Sequence, residues 1–494
     1  MRKILVANRG EIALRVIKTC RELGIVTVAV YSEIDCDALH VRAADEAYLI
    51  GPAPATESYL RMDKILEIGK TCGADAIHPG YGFLSENDEF VDLVERQGLT
   101  FIGPSADSIR LLGDKTEARK LAMSLGVPIV PGMTSPVRSK EEALSIATQM
   151  GYPVLLKAVA GGGGKGMRIV QNKQELPSAL QASRSEARSS FGDDRVYIEK
   201  YIEDPRHVEV QIVADSHGHV VHLGERECSI QRRHQKIVEE SPSPIVDDAL
   251  RADLFRAAME LVRRSGYVNA GTVEFMVDRN QRFYFLEVNT RLQVEHPVTE
   301  MRTGVDLVRE QINIAEGNSL TFRQSDISFA GHSIECRIYA EDPRDNFCPS
   351  TGLIEYMKTP KGFGIREDGG VEIGSLITPY YDPLISKLIV WGATRNAAVD
   401  RMAAALNEYE IYGVRNNLEL CSWIMGDANF RSGDFDTNFM AKRLSDMIRD
   451  APAEIVLASI TSAVKRDQVL AMHPPSSPSG AIRSRWREQL SQEF

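Results

Sequence analysis

The chain has 494 residues, 43% hydrophobic and 26% charged, an ordinary globular composition with material for roughly three domains. Its 58 basic and 69 acidic side chains leave a net charge of −11, which argues against a general nucleic-acid or membrane-surface role but leaves room for a local basic pocket. Seven cysteines (Cys20, Cys36, Cys72, Cys228, Cys336, Cys348, Cys421) with no C-x-x-C pair make a zinc ribbon or disulfide framework unexpected and fit a reducing cytoplasm. The first residues are too briefly apolar for a signal peptide, and no apolar run of about 18 residues offers a membrane span.

Residues 4–7 read as a buried parallel strand, 11–23 as a helix stopped by Gly24, and 26–31, 74–78 and 100–102 as further strands. This predicts a doubly wound α/β unit over 1–113. Asp114 is placed to cap the next helix, with Glu117 completing a capping box and Gly126 ending it. Strands at 154–159 and 167–170 flank a glycine run, and hairpins are expected at 207–224 and 272–289. Residues 114–320 therefore read as an α+β unit with much antiparallel sheet. A third unit over 331–443 is rich in short β signals, with helices at 395–407 and 415–425. The tail 444–494 reads as one amphipathic helix at 452–472, a Pro/Ser linker at 474–480 and a last short helix at 481–490 containing Trp486. No internal repeat is visible.

The glycine run, Gly161 to Gly166 with Lys165 inside it, satisfies G-x-G-x-x-G. A strand follows it, where a dinucleotide fingerprint requires a helix, and Gly166 stands where a P-loop needs Ser or Thr. What remains is a glycine loop between two strands. It can cradle phosphates with backbone N–H groups and act as a lid, or it is a flexible surface hairpin. Lys157 and Lys165 favour phosphate.

In the hairpin 272–289, a turn centred between Asn280 and Gln281 sets Glu274 opposite Glu287, with Asn289 on the face of Glu287. Facing Cβ atoms about 5 Å apart would bring two like charges together, which calls for a cation between them. Hard oxygen donors suit Mg²⁺ or Mn²⁺. The alternative is one exposed and one salt-bridged glutamate. Just beyond, Arg291 and Glu295 set a cation beside a base, a pairing suited to a small anion that is held and deprotonated. Upstream, Arg232, Arg233, His234 and Lys236 crowd five residues. They form either a solvated charged face or a phosphate or bicarbonate site, and spacing alone does not choose. Cys228 reads as a buried thiol, since no base is paired with it.

Six stretches occur in one order: ANRGEIA at 7–13, HPGYGFLSEN at 78–87, GDK at 113–115, Lys157 with 161–166, 225–236 and 287–297. Together they resemble biotin carboxylase, an ATP-grasp enzyme, over residues 1 to about 443. The resemblance implies a mixed α/β and α+β fold: a Rossmann-like N-terminal domain, a central ATP-grasp domain with a glycine-rich lid and a β-rich C-terminal domain. It implies that Lys115, Lys157, Gly163, Gly164, Glu199, Lys200, Tyr201, Ile202, His207, Gln231 and His234 bind ATP, with Met167, Met276 and Phe439 against the adenine. Two metal ions fall to Glu274, Glu287 and Asn289. Bicarbonate falls to Lys236, Arg291, Gln293, Val294 and Glu295. Arg337 assists biotin, and Tyr81, Gly82 and Phe83 lie near it. In the implied reaction Glu295 deprotonates bicarbonate, which attacks the γ-phosphoryl of ATP. The resulting carboxyphosphate yields CO₂ and phosphate, phosphate takes the biotin N1 proton, Arg337 stabilises the enolate, and N1 captures CO₂.

Carriers of this family hold biotin on an Ala-Met-Lys-Met-like turn, which is missing here; the nearest pair, Met357-Lys358, reads as ordinary strand or loop. The biotin carboxyl carrier protein and the carboxyltransferase are therefore expected on separate chains, with this chain a homodimer. Acetyl-CoA carboxylase is the expected assembly, and propionyl-CoA or pyruvate carboxylase the alternatives. Another ATP-grasp ligase, such as a carbamoyl-phosphate synthetase half, is disfavoured by HPGYGFLSEN and Arg337. An inactive nucleotide-binding module is disfavoured by the presence of Glu295, Lys236 and Glu287. The tail either docks a partner protein or pads the surface.

Overall fold

Alternating short apolar runs and amphipathic helices at the N-terminus build a five-stranded parallel sheet. Its strands are β1 (Lys3–Val6), β2 (Val26–Ser32), β3 (Glu46–Gly51), β4 (Ala76–His78) and β5 (Thr100–Phe101), in the order β3-β2-β1-β4-β5. Ile4, Leu5 and Val6 on β1 are fully buried, as a central parallel strand covered on both faces requires. β3 was not expected from the sequence. It is an edge strand whose exposure alternates, although Ala47, Tyr48, Leu49 and Ile50 form an apolar run. The strand order reverses between β1 and β4, so their carboxyl ends open the crevice where such sheets bind ligands. ANRGEIA leaves β1 there and HPGYGFLSEN leaves β4. Asn8 Nδ2 ties the two together, donating to the carbonyls of Pro79 at 2.7 Å and Tyr81 at 2.8 Å.

The computed structural model describes residues 1–132, 136–158, 167–191, 193–233 and 235–449. The expected tail elements beyond 450 and the glycine run lie outside these residues. The chain divides into Met1–Leu444 and Ser445–Phe494, and every sheet belongs to the first unit. Among the described residues no helix is long and apolar enough to cross a membrane.

Asp114 caps the helix Lys115–Ser124, accepting from the N–H groups of Thr116 and Glu117. Glu117 pairs with Lys120 at 2.7 Å instead of turning back to close a capping box. A three-stranded antiparallel sheet follows, β7-β6-β8, from β6 (Val154–Ala158), β7 (Met167–Val170) and β8 (Val196–Lys200). The helices Lys140–Met150 and Leu176–Phe191 pack on it through Ala143, Ala147 and Leu180.

The largest element is an eight-stranded antiparallel sheet. It contains β9 (Arg206–Ala214), β10 (Val220–Arg232), β11 (Gln235–Ser241), β12 (Asn269–Val277), β13 (Phe283–Asn289), β14 (His332–Tyr339), β15 (Ile365–Gly369) and β16 (Leu384–Gly392). The order is β13-β12-β9-β10-β11-β14-β16-β15. The sheet therefore runs without a break past residues 320–331, where the sequence suggests a boundary, because β11 pairs with β14. The helix Asp248–Ser265 buries Leu254, Ala258 and Leu261 against one face. Helices Arg395–Glu408 and Leu418–Gly426 lie close to their expected positions, and Met357-Lys358 belongs to the short strand Tyr356–Lys358.

Candidate active site

The β12–β13 register sets Glu274 directly opposite Glu287 and Thr272 opposite Asn289, but by another route than expected: the pairs next to the turn, Val277–Phe283 and Phe275–Phe285, centre it on Asn280, and a register shift between Glu274 and Phe275 brings the two glutamates together. The row continues across the sheet: Glu274 faces Glu209 on β9, and Glu209 faces Arg226 on β10. Three carboxylates thus stand side by side on neighbouring strands, an arrangement that self-repulsion would break without cations. Lys115 reaches Glu287 at 2.7 Å, and His207 reaches Glu274 at 2.8 Å. Lys236 lies 2.6 Å from Glu209, 3.3 Å from Glu274 and 2.5 Å from Glu295. Arg226 is wholly buried, bonded to Glu209 at 2.6 Å and to Gln211, Thr272 and Thr299. At the other end Glu295 accepts from Arg337 at 2.9 Å, and Arg337 also holds Glu239 at 2.5 Å. Charges alternate along this chain, so each ion lies between opposite neighbours in a dry setting.

The field of that chain sets its protonation. Burial works against the ammonium of Lys236, but Cys228, Glu209, Glu274 and Glu295 push its pKa well above the usual lysine range. Burial alone would raise Glu295; Lys236, Arg337 and Arg226 outweigh it and hold the carboxyl well below the usual range. Burial likewise opposes ionisation of Glu274, yet Lys236 and His207 lower its pKa. Glu239, at the dry end, is lifted by burial to about 7 even against the pull of Arg337. Burial drives the Cys228 thiol well up, which fits an inert thiol.

Lys115, His207, Lys236, Glu274, Glu287 and Arg337 line a cleft of about 1430 Å³, and Glu209, Arg226, Glu239 and Glu295 are buried behind them. Its walls bring together Lys115, Lys157, Met167, Glu199, Lys200, Tyr201, Ile202, His207, Gln231, Lys236, Glu274, Met276, Glu287, Asn289, Arg291, Gln293, Val294 and Arg337, together with Tyr81, Gly82 and Phe83. Glu199 is buried and held by Lys157 and Arg119, each at 2.6 Å. Arg291 is braced by Glu86 at 2.8 Å and by Asn289 and Gln293, both at 3.2 Å. Phe439 departs from expectation. It is buried, packing on Trp423 and Phe435, and its neighbours Asn438 and Met440 line the cleft. Gly163, Gly164 and His234 lie outside the described residues. Two carboxylates and an amide facing one another across a ladder make an all-oxygen donor set of the kind Mg²⁺ or Mn²⁺ takes, so the residues present fit such an ion.

Family models match three consecutive stretches: "Biotin carboxylase, N-terminal domain" over 1–109, "Carbamoyl-phosphate synthase L chain, ATP binding domain" over 114–323, and "Biotin carboxylase C-terminal domain" over 335–442. Biotin carboxylase 1 of Bacillus subtilis is 52% identical over 441 residues, covering 89% of this chain and 98% of that one. The chain belongs to the biotin carboxylases of the ATP-grasp superfamily. As a biotin carboxylase it is an ATP-dependent ligase. A pyruvate carboxylase subunit of Methanothermobacter thermautotrophicus is 53% identical over 438 residues, 89% of each chain. The biotin carboxylase domain dimer of Hydrogenobacter thermophilus 2-oxoglutarate carboxylase, crystallised with MgADP, ADP and bicarbonate, superimposes with a TM-score of 0.84 at 51% identity, covering 90% of this chain and 97% of that one.

Sequence reasoning missed four residues of this biotin carboxylase's site: Glu209, Arg226, Glu239 and Glu86. Glu209 stands between Val208 and Val210, and Arg226 and Glu239 stand beside other charged residues, so nothing local marks them; the strand order sets Glu209 and Arg226 opposite one another and brings Arg337 to Glu239. Glu86 was within reach, because it stands in the HPGYGFLSEN segment that the cleft uses.

Proposed function

We propose that the chain carboxylates biotin borne by a separate biotin carboxyl carrier protein, as a homodimeric component of an acetyl-CoA carboxylase that also contains carboxyltransferase subunits. The observation that carries the chemistry is Glu295, wholly buried between Lys236 and Arg337 at the edge of a cleft lined by Arg291, Gln293 and Val294. A base so placed lies between an anion site and the arginine assigned to biotin.

Lys115, Lys157, His207 and Gln231 hold the nucleotide, with Met167 and Met276 against the adenine, as the ADP bound to the Hydrogenobacter domain suggests by likeness. Glu274, Glu287 and Asn289 hold the divalent cation, which supplies positive charge at the phosphoryl oxygens. Arg291 and the Gln293–Glu295 turn receive bicarbonate. Bicarbonate competes with Glu295 for Lys236, which frees the carboxylate and restores its basicity. Glu295 then takes the bicarbonate proton, and the bicarbonate oxygen attacks the γ-phosphorus as the bond to ADP breaks. The carboxyphosphate splits to CO₂ and phosphate within the closed site. Phosphate takes the N1 proton, Arg337 steadies the negative charge on the ureido oxygen, and N1 bonds to CO₂. The test is ATP cleavage with bicarbonate and free biotin added singly and together; turnover that needs neither refutes the reading.

The likeness to Biotin carboxylase 1 of Bacillus subtilis, over 89% of this chain and 98% of that one, supports the acetyl-CoA assembly. The equal likeness to a pyruvate carboxylase subunit supports pyruvate as a second reading. Purifying the chain with its native partners and offering acetyl-CoA or pyruvate separates them: the acceptor carboxylated names the complex.

A further inference from the structure

The ANRGEIA segment has no part in that chemistry, yet it sends a carboxylate to the cleft. Glu11, in the first turn of the helix Gly10–Glu22, is buried. Its Oε1 accepts from the hydroxyl of Tyr81 and lies 3.1 Å from Nζ of Lys387. Lys387 is on β16, opposite Arg337 in the ladder, and is wholly buried. The same ammonium donates to the carbonyl of Val294 at 2.9 Å. That carbonyl belongs to the peptide plane carrying the nitrogen of Glu295, so its direction sets how Glu295 enters the site. Gly370 locks the arrangement from behind: a Cβ there would stand 2.6 Å from the Glu11 nitrogen and 3.0 Å from the Gly10 carbonyl carbon. A buried ion pair is a poor way to gain stability, since apolar side chains of similar volume do at least as well. Its use here is to join three parts of the chain at one point.

We propose that Lys387 and Glu11 are positioning residues that tie the segment 81–83, on the biotin side, to the turn 293–295, on the bicarbonate side. The proposal rests on the assignment of bicarbonate and biotin to those two sides under the proposed function. The two substrate sites then share one buried ion pair, and neither can shift without the other.

The test uses the full-length protein and three variants: Lys387→Met, Glu11→Gln and the double variant. Each single change leaves one buried charge without its counter-charge and is expected to lower Tm; the double change removes both charges and is expected to restore most of it. ATP cleavage is measured against bicarbonate, biotin and ATP. In the double variant the KM for bicarbonate is expected to rise about tenfold or more, with a rise in KM for biotin and with the KM for ATP within about twofold, because displacing a reacting group by a fraction of an ångström is costly. A folded double variant with parental constants overturns the proposal. So does a double variant that fails to fold, since the pair would then be structural, or one that loses kcat alone. Parental protein without bicarbonate-dependent ATP cleavage would instead refute the underlying assignment of the site.

Discussion

Glu295→Gln separates the chemistry of the site from its architecture. The chain of buried ions holds three permanent cations (Arg226, Lys236, Arg337) and four carboxylates (Glu209, Glu239, Glu274, Glu295), with His207 as a titrating member. Removing one carboxylate balances the count, and both cations beside Glu295 keep other partners: Lys236 keeps Glu209 and Glu274, and Arg337 keeps Glu239. Glu295 accepts from Lys236 through Oε1 and from Arg337 through Oε2, so the amide keeps one of these bonds through its oxygen and turns its NH2 on the other cation; one bond weakened and one lost cost about 3–4 kcal/mol in all. Loss of a positioned base costs about 10²–10⁴-fold in rate, about 3–5 kcal/mol of barrier. Bicarbonate-dependent ATP cleavage should fall by that factor, while ADP binding by calorimetry stays within about threefold and Tm drops. Near-parental turnover would show that Glu295 is not the base. Parallel loss of ADP binding and turnover would show that the carboxylate is structural.

Lys236→Met should be at least as damaging, since it leaves Glu209, Glu274 and Glu295 facing one another without their shared cation; denaturant unfolding should show a loss of about 3–5 kcal/mol, partly recovered by adding Glu295→Gln. His78 is held at about 3 by burial, and its Nδ1 accepts from the Gly80 N–H at 3.0 Å, a bond only the unprotonated ring can accept. A depressed folded pKa gives stability that is full above the unfolded value of 6.5 and is lost as pH falls toward 3. The stability advantage of the parental protein over His78→Asn should therefore shrink by about 2 kcal/mol between pH 7.5 and 5, as read from denaturation midpoints; a constant gap contradicts it. Chelation with EDTA should abolish ATP cleavage yet leave the nucleotide-free Tm unchanged, because Lys115, Lys236 and His207 already offset the carboxylates of the metal cradle.

What the sequence revealed followed from local period. The two strands of the Glu274–Glu287 hairpin were legible from their β-prone runs, but the turn centres on Asn280, one half-step from the expected position, and the pair forms through a register shift that no local pattern signals. Asp114 was legible as a cap because its side chain acts within three residues. Glu209, Arg226 and Glu239 were not, because Glu209 is isolated among valines, Arg226 and Glu239 stand among other buried charges, and the counter-charge of each comes from another strand. The edge strand β3 did carry an apolar, β-prone run, Ala47 to Ile50, and its shortness rather than any polarity hid it. Phe439 was placed on the adenine by resemblance alone, and the packing of Trp423 and Phe435 turns it inward.

The unbroken sheet from β9 to β16 has a mechanical meaning. Glu239 and Arg337 ride on adjacent hydrogen-bonded strands, and Lys236 shares a strand with Glu239. The spacing between the proton acceptor's partner and the guanidinium is thus fixed by ladder geometry, stiff on the scale of a single bond length. The sheet built from β6 to β8 is separate, so Lys157 and Glu199 share no ladder with Glu239 and Arg337. The two groups of charged side chains around one cleft are thus mounted on different frames, and only the second has its internal distances dictated by main-chain pairing.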